Sequence, residues 1–167
     1  YYDSKNDTIF MTEHGPNGGD ETNINRSPNN IIKNYGWPIS SYGEHYGFKK
    51  RDINADKYIK APLYKSHSDY GYIEPLDYFV PSIGISQIIN LPEEFVSGEN
   101  YQILVSSLGL DHGKIIYYYQ LNSQFNIISR EELKIGERIR DMIYVPEKNQ
   151  ILLFLENTGS LAILSNI

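Results

Sequence analysis

The stretch Thr12-Glu13-His14-Gly15-Pro16-Asn17-Gly18-Gly19-Asp20-Glu21-Thr22-Asn23, followed by Asn34-Tyr35-Gly36-Trp37-Pro38, decides how this sequence is read. Gly15-Pro16 and Gly18-Gly19 turn the backbone tightly, so that several carbonyl oxygens can point outward together. Asp20 and Glu21 add two adjacent carboxylates. Carbonyls plus carboxylates form the oxygen ligand set that a hard cation such as calcium takes. The same residues also fit a solvated acidic turn, and on the residues alone that plainer reading is the commoner one.

On either side of this stretch the texture of the chain changes. Residues 1–84 hold one short apolar run, Thr8-Ile9-Phe10-Met11-Thr12, and then a long segment rich in Gly, Asn, Pro and Tyr. A segment so long and so poor in periodicity is a functional or ligand-bound region rather than a connecting loop. From residue 85 onward short β-rich runs follow one another: Ile85–Ile89, Tyr101–Ser107, Lys114–Leu121, Phe125–Leu133, Ile139–Val145, Gln150–Leu155 and Ser160–Leu164. Turn-like pieces such as Asp111-His112-Gly113 and Pro146-Glu147-Lys148-Asn149 divide them. The spacing predicts an antiparallel meander, with four strands over 85–133 and three over 134–167. A unit short by one strand is how a closed propeller ends, the missing strand coming from the other terminus; a sandwich or an incomplete barrel fits the periodicity too. Arg130–Lys134 is the only helix candidate.

Composition bounds the function. Of 167 residues, 40% are hydrophobic and 22% charged, which describes one ordinary folded domain rather than a disordered chain. Fifteen tyrosines favour strands and half-wet surfaces. A net charge of -6 excludes the concentrated basic face that a nucleic-acid partner needs. No run reaches the roughly 18 apolar residues of a membrane span. The absence of cysteine removes disulfides and thiolate metal sites. The chain opens Tyr1-Tyr2-Asp3-Ser4, without a signal peptide, and reads like the interior of a longer protein.

The two motifs together resemble the hallmark of the soluble quinoprotein glucose dehydrogenases and aldose sugar dehydrogenases, the glucose/sorbosone dehydrogenase family, which reads roughly E-H-G-P-x-G-G-D-E-x-N and then N-Y-G-W-P. Three downstream segments are similar to the family as well: Tyr78-Phe79-Val80-Pro81-Ser82-Ile83, Tyr101-Gln102-Ile103-Leu104-Val105-Ser106-Ser107-Leu108 and Glu137-Arg138-Ile139-Arg140-Asp141-Met142. The resemblance implies an all-β fold, the C-terminal part of a six-bladed β-propeller amounting to two or three blades. It implies pyrroloquinoline quinone and calcium as cofactors, and oxidation of the C1 hydroxyl of an aldose sugar or small polyol. Carried over by position, the carbonyls of Gly15 and Pro16 would ligate the calcium that polarises the quinone. Glu21 and the carbonyl of Tyr35 would hold a second calcium. Arg138 and Arg140 would meet the quinone's carboxylates with planar two-pronged guanidiniums, and Ser82 would lie near the cofactor. Without the resemblance, the two arginines read as surface partners of Glu131, Glu132 or Glu137. Tyr35 and Trp37 read as packing under the loop. His14 belongs to the loop, and His45, His67 and His112, which share no metal-ligand spacing, read as structural or exposed.

Three departures qualify the match. The family's catalytic histidine lies upstream of the E-H-G-P loop, so the catalytic base is expected before residue 1. Some members carry a lysine directly after the S-L that ends the Tyr101–Leu108 segment, where Gly109 stands here, and Lys114 falls later. The spacer between Glu21 and Tyr35 is longer than usual, with 26–30 as the insertion. Two readings follow. This chain is the C-terminal part of a periplasmic or secreted sugar dehydrogenase, supplying calcium and quinone ligands but not the base, and inactive alone. Alternatively, it is a non-catalytic propeller module that binds a sugar or a protein partner. In either case, blade faces that a missing N-terminal half would cover are left for self-association.

Overall fold

The computed structural model describes residues 1–47, 51–98, 100–109 and 114–165. It is all-β, built from three antiparallel sheets of three or four strands, as in part of a β-propeller. The chain divides into two units, Tyr2–Ile83 and Gly84–Ile167 together with Tyr1.

The first unit contains more strand than the sequence predicts. Instead of one early strand it has four, β1 (Tyr2–Asp3), β2 (Thr8–Glu13), β3 (Asp20–Arg26) and β4 (Asp77–Phe79), hydrogen-bonded in that order. The apolar run ending at Thr12 is β2. Its partner β3 escapes a search for apolar periodicity because its residues are polar: Asp20, Glu21, Thr22 and Asn23 are all buried. A strand of buried polar side chains is stable only where those side chains find partners, and here they gather at one end of the sheet. Between β3 and β4 a short helix, α1 (Asp56–Lys60), buries Tyr58.

In the second unit, β5 (Ile85–Asn90), β6 (Tyr101–Ser107), β7 (Ile115–Leu121) and β8 (Ile127–Lys134) form a meander. It is followed by β9 (Ile139–Val145), β10 (Gln150–Leu155) and β11 (Ser160–Ser165). Arg130–Lys134 is therefore not helical. It pairs with β7 from Arg130↔Tyr119 to Lys134↔Ile115 as a polar edge strand, and charged side chains are a common way to protect such an edge. The turn at Asp111-His112-Gly113 lies outside the described residues, as does His112.

The two sheets share one core. Ile89, Leu104, Ile116 and Tyr118 from the first pack with Ile139, Met142, Ile151 and Leu153 from the second. The central strand β6 is buried on both faces, with Ile103, Leu104 and Val105 fully enclosed. The opposite face of the three-stranded sheet presents Ile143, Phe154, Leu161 and Ile163 to solvent. Deleting three heavy atoms from a closed site leaves a cavity that neighbours refill only in part. Leu104→Ala is expected to lower the unfolding free energy by about 2–5 kcal/mol, read from urea denaturation.

Candidate functional site

The first unit's site is organised by a buried acid. The carboxylate of Asp20, fully enclosed, accepts the Gly15 amide (3.1 Å), the Ser82 hydroxyl (2.6 Å) and the Ile83 amide (3.1 Å). One side chain thereby ties the loop before β3 to the segment after β4. The Gly19 amide donates to the Phe79 carbonyl at 2.8 Å, and Asn17 and Glu44 exchange backbone hydrogen bonds at 2.8 and 2.9 Å. From sequence Asp20 read as one of two adjacent carboxylates; its carboxylate accepts hydrogen bonds from the backbone and from Ser82.

The loop is closed tightly. Gly18 and Gly19 have φ of 88° and 72°, a left-handed conformation costly for residues with a Cβ. A Cβ on Gly15 would strike the carbonyls of Gly18 and Gly19. Among the described residues, no hydrogen bond reaches the carbonyl oxygen of Gly15, Pro16 or Tyr35.

Beside this loop lies a cavity of about 210 Å³, lined by Glu13, His14, Gly15, Gly19, Glu21, Tyr35, Trp37, Ser40 and Ser41. Three of the four residues expected to hold metal, Gly15, Glu21 and Tyr35, share it. Pro16 is buried beside Gly15 but does not line it. Trp37 is not packed beneath the loop; it is 59% exposed at the cavity. Tyr35 is half-buried and donates its hydroxyl to the Ile24 carbonyl at 2.8 Å. Ser82, expected near the cofactor, has its hydroxyl on Asp20.

The cavity's electrostatics are unusual. Glu13 and Glu21 stand directly opposite each other across β2 and β3, and like charges so placed repel. The Asn23 amide donates to both, to Glu13 in a short hydrogen bond and to Glu21 at 3.3 Å. Burial, reinforced by the negative charge of Glu13, Glu74 and Asp20 and opposed by the Asn23 amide, pushes Glu21 up to about 7. His67, 1% exposed, places Nε2 3.3 Å from Glu21. That is ion-pair range without hydrogen-bond alignment, and among the described residues neither His67 ring nitrogen finds a hydrogen bond, nor do Asn23 Oδ1 and Thr22 Oγ1. His67 stacks on Tyr42, which stacks on Tyr78 at 3.7 Å. Among the described residues, no three His, Asp or Glu side chains converge for a metal. A cation here would draw on main-chain oxygens, which calcium accepts.

A second polar cluster lies in the other unit. Arg138 Nε and Arg140 Nη2 both donate to one oxygen of Glu156, at 3.2 and 2.6 Å. Their partner is thus none of the three acids weighed from sequence. Arg140, and then Arg138, holds the Glu156 carboxyl below its usual range despite some desolvation. Of the other histidines, His45 contacts the Ala61 carbonyl at 2.6 Å. His14 is exposed on the loop, 3.7 Å from Asp20. Asn23, Glu13, His67 and Glu156 were missed. Glu13 and Asn23 stand inside the quoted motif, where strand alternation could have found them. His67 and Glu156 meet their partners only through the fold.

The family model for Glucose / Sorbosone dehydrogenase matches residues 1–163. The chain is 28% identical over 164 residues to the uncharacterized protein slr1608 of Synechocystis sp. (strain ATCC 27184 / PCC 6803 / Kazusa), covering 96% of this chain and 34% of that one. It is 50% identical over 42 residues to the Aldose sugar dehydrogenase YliI of Escherichia coli (strain K12), 25% of this chain and 10% of that protein. The chain thus spans about a third of the length of the first relative. It belongs to the glucose/sorbosone dehydrogenase family.

Because Glu21 is raised from 4.5 to about 7, folding takes up a proton between those values. Its contribution to stability is fully present below the unfolded value and is lost as pH rises through the folded one. In metal-free buffer the urea midpoint is expected to fall across this window, and the fall to flatten in Glu21→Gln. A midpoint that rises there would contradict the assignment.

Proposed function

We propose that this chain, as a member of the glucose/sorbosone dehydrogenase family, is part of a sugar dehydrogenase that uses pyrroloquinoline quinone and calcium to oxidise the C1 hydroxyl of an aldose. The observation that carries this reading is the Asp20-tied loop, whose Gly15 and Pro16 carbonyls accept no hydrogen bond among the described residues. Unpaired carbonyl oxygens held by a rigid turn suit a hard cation, and their immobility spares the ordering cost of binding.

The residues of the cavity also fit a cation of this type. Glu13 and Glu21 concentrate negative charge, Tyr35 contributes a carbonyl without a hydrogen bond among the described residues, and Asn23 Oδ1, likewise without one, adds a third oxygen type nearby. The reading assigns Gly15 and Pro16 to the calcium that polarises the quinone, and Glu21 with Tyr35 to a second calcium. Arg138 and Arg140 receive the quinone's carboxylates, and Ser82 supports the loop through Asp20 rather than by direct contact. When bound, the quinone supplies the hydride acceptor. No residue here is assigned as the base that takes the sugar hydroxyl proton. A periplasmic or secreted setting follows from the family habit; among the described residues no helix is long and apolar enough to cross a membrane. The remainder of the propeller is the natural cover for the apolar face of β9–β11.

The alternative, a non-catalytic module binding a sugar or protein, is favoured by Gly109, which offers no side chain where some members have lysine.

Trp37, the only tryptophan, reports on the cavity. A calcium titration is expected to change its fluorescence saturably, and Glu21→Gln to remove part of that response. Pyrroloquinoline quinone, added with calcium and followed by calorimetry, is expected to bind the unaltered chain but not Arg138→Ala/Arg140→Ala. Quinone binding indifferent to both calcium and the arginines would overturn the dehydrogenase reading and leave the module.

A further inference from the structure

Arg140 stands at a break in the β9–β10 ladder. Phe154 pairs with Asp141 and Leu155 with Ile139, so Arg140 is the extra residue on its strand. A bulge of this kind leaves one residue unpaired and re-aims the side chains around it. Here Ile139 and Met142 face the core, while Arg140 and Asp141 both face outward.

Glu156 is bound to this bulge twice. Its amide donates to the Arg138 carbonyl at 2.9 Å, and its carboxylate oxygen accepts from both guanidiniums. The neighbouring acids are engaged elsewhere: Glu137 accepts from Thr158, and Asp141 from Gln87 and the Met142 amide. Two guanidiniums so close would repel and wander without a shared anion. With Glu156 between them the trio carries one net positive charge. Each guanidinium has five N–H donors, and the contact with Glu156 uses one nitrogen of each.

We propose that Glu156 is a positioning residue, which holds Arg138 and Arg140 together as a cationic fork for a carboxylate-bearing ligand and stays in place when that ligand binds. This rests on the reading of the arginine pair under Proposed function. It also reverses the sign that charge alone dictates. Removing a negative group beside an anion site strengthens anion binding by Coulomb's law, whereas removing a positioner weakens it.

The test is calorimetric titration of the chain with pyrroloquinoline quinone at fixed calcium and ionic strength. Glu156→Ala is expected to bind roughly tenfold more weakly, the scale of one lost charge-assisted hydrogen bond. Glu156→Gln, whose amide oxygen still accepts from both arginines, is expected to bind at least as tightly as the unaltered chain. Glu156→Asp keeps the charge but is too short to reach both guanidiniums; it is expected to weaken binding and stands in should the alanine variant not fold. Equal or tighter binding by Glu156→Ala, or by Glu156→Asp in its place, overturns the positioning role. The arginine reading then survives if Arg138→Ala/Arg140→Ala still loses the ligand. An unaltered chain that does not bind, or an arginine variant that binds as well as it does, overturns the arginine reading and this role with it.

Discussion

The first unit depends on the Asp20 carboxylate. A buried charge is costly unless hydrogen bonds replace its hydration, and three donors do so here, two of them main-chain amides at Gly15 and Ile83. Because those donors come from segments more than sixty residues apart, the same contacts that satisfy the charge also close the fold. The glycine loop is then shaped from both ends: Asp20 fixes its entry at Gly15, and the left-handed glycines bring its exit onto Phe79. With the Gly15 amide turned inward to Asp20, the carbonyls of Gly15 and Pro16 have no donor among the described residues. The shape of the loop is in this sense a by-product of satisfying a buried carboxylate.

The two polar clusters differ in how they handle charge. Around Glu21, burial and three neighbouring carboxyls push the group toward its neutral form, and orphaned polar atoms at Asn23, Thr22 and His67 leave the cluster incomplete. Buried polar atoms left without partners are costly, so this cluster lowers the stability of the unit that holds it. Around Glu156 the opposite holds: a half-buried carboxylate is shared by two guanidiniums, and one of their two positive charges is compensated.

Much of the second unit was legible in the sequence, because its strands are short runs of β-favouring residues cut by turn residues. All seven runs became β5–β11, with ends displaced by a residue or two. The polar edge strand β8 was the place where a helix candidate arose, since the run Arg130-Glu131-Glu132 is charged throughout and carries no apolar period. The first unit was much less legible. β3 is held by buried polar side chains whose partners come from distant loops, so local pattern could not find it, and β1 and β4 are two and three residues long. Of the site, the motif identified Gly15, Glu21 and Tyr35, which share a cavity. It grouped Asp20 with Glu21 because adjacent carboxylates look equivalent in sequence, whereas in a strand they point to opposite faces. Glu156, sixteen residues beyond Arg140, was invisible until the hairpin brought it back.

The most direct measurement of this account is amide hydrogen exchange at Gly15 and Ile83, in the unaltered chain and in Asp20→Asn. Both amides are expected to be protected in the unaltered chain and to exchange faster together in the variant, while amides of β6 and β7 are unchanged. A Gly15 amide that exchanges at the rate of an open loop in the unaltered chain would contradict the claim that Asp20 builds the site.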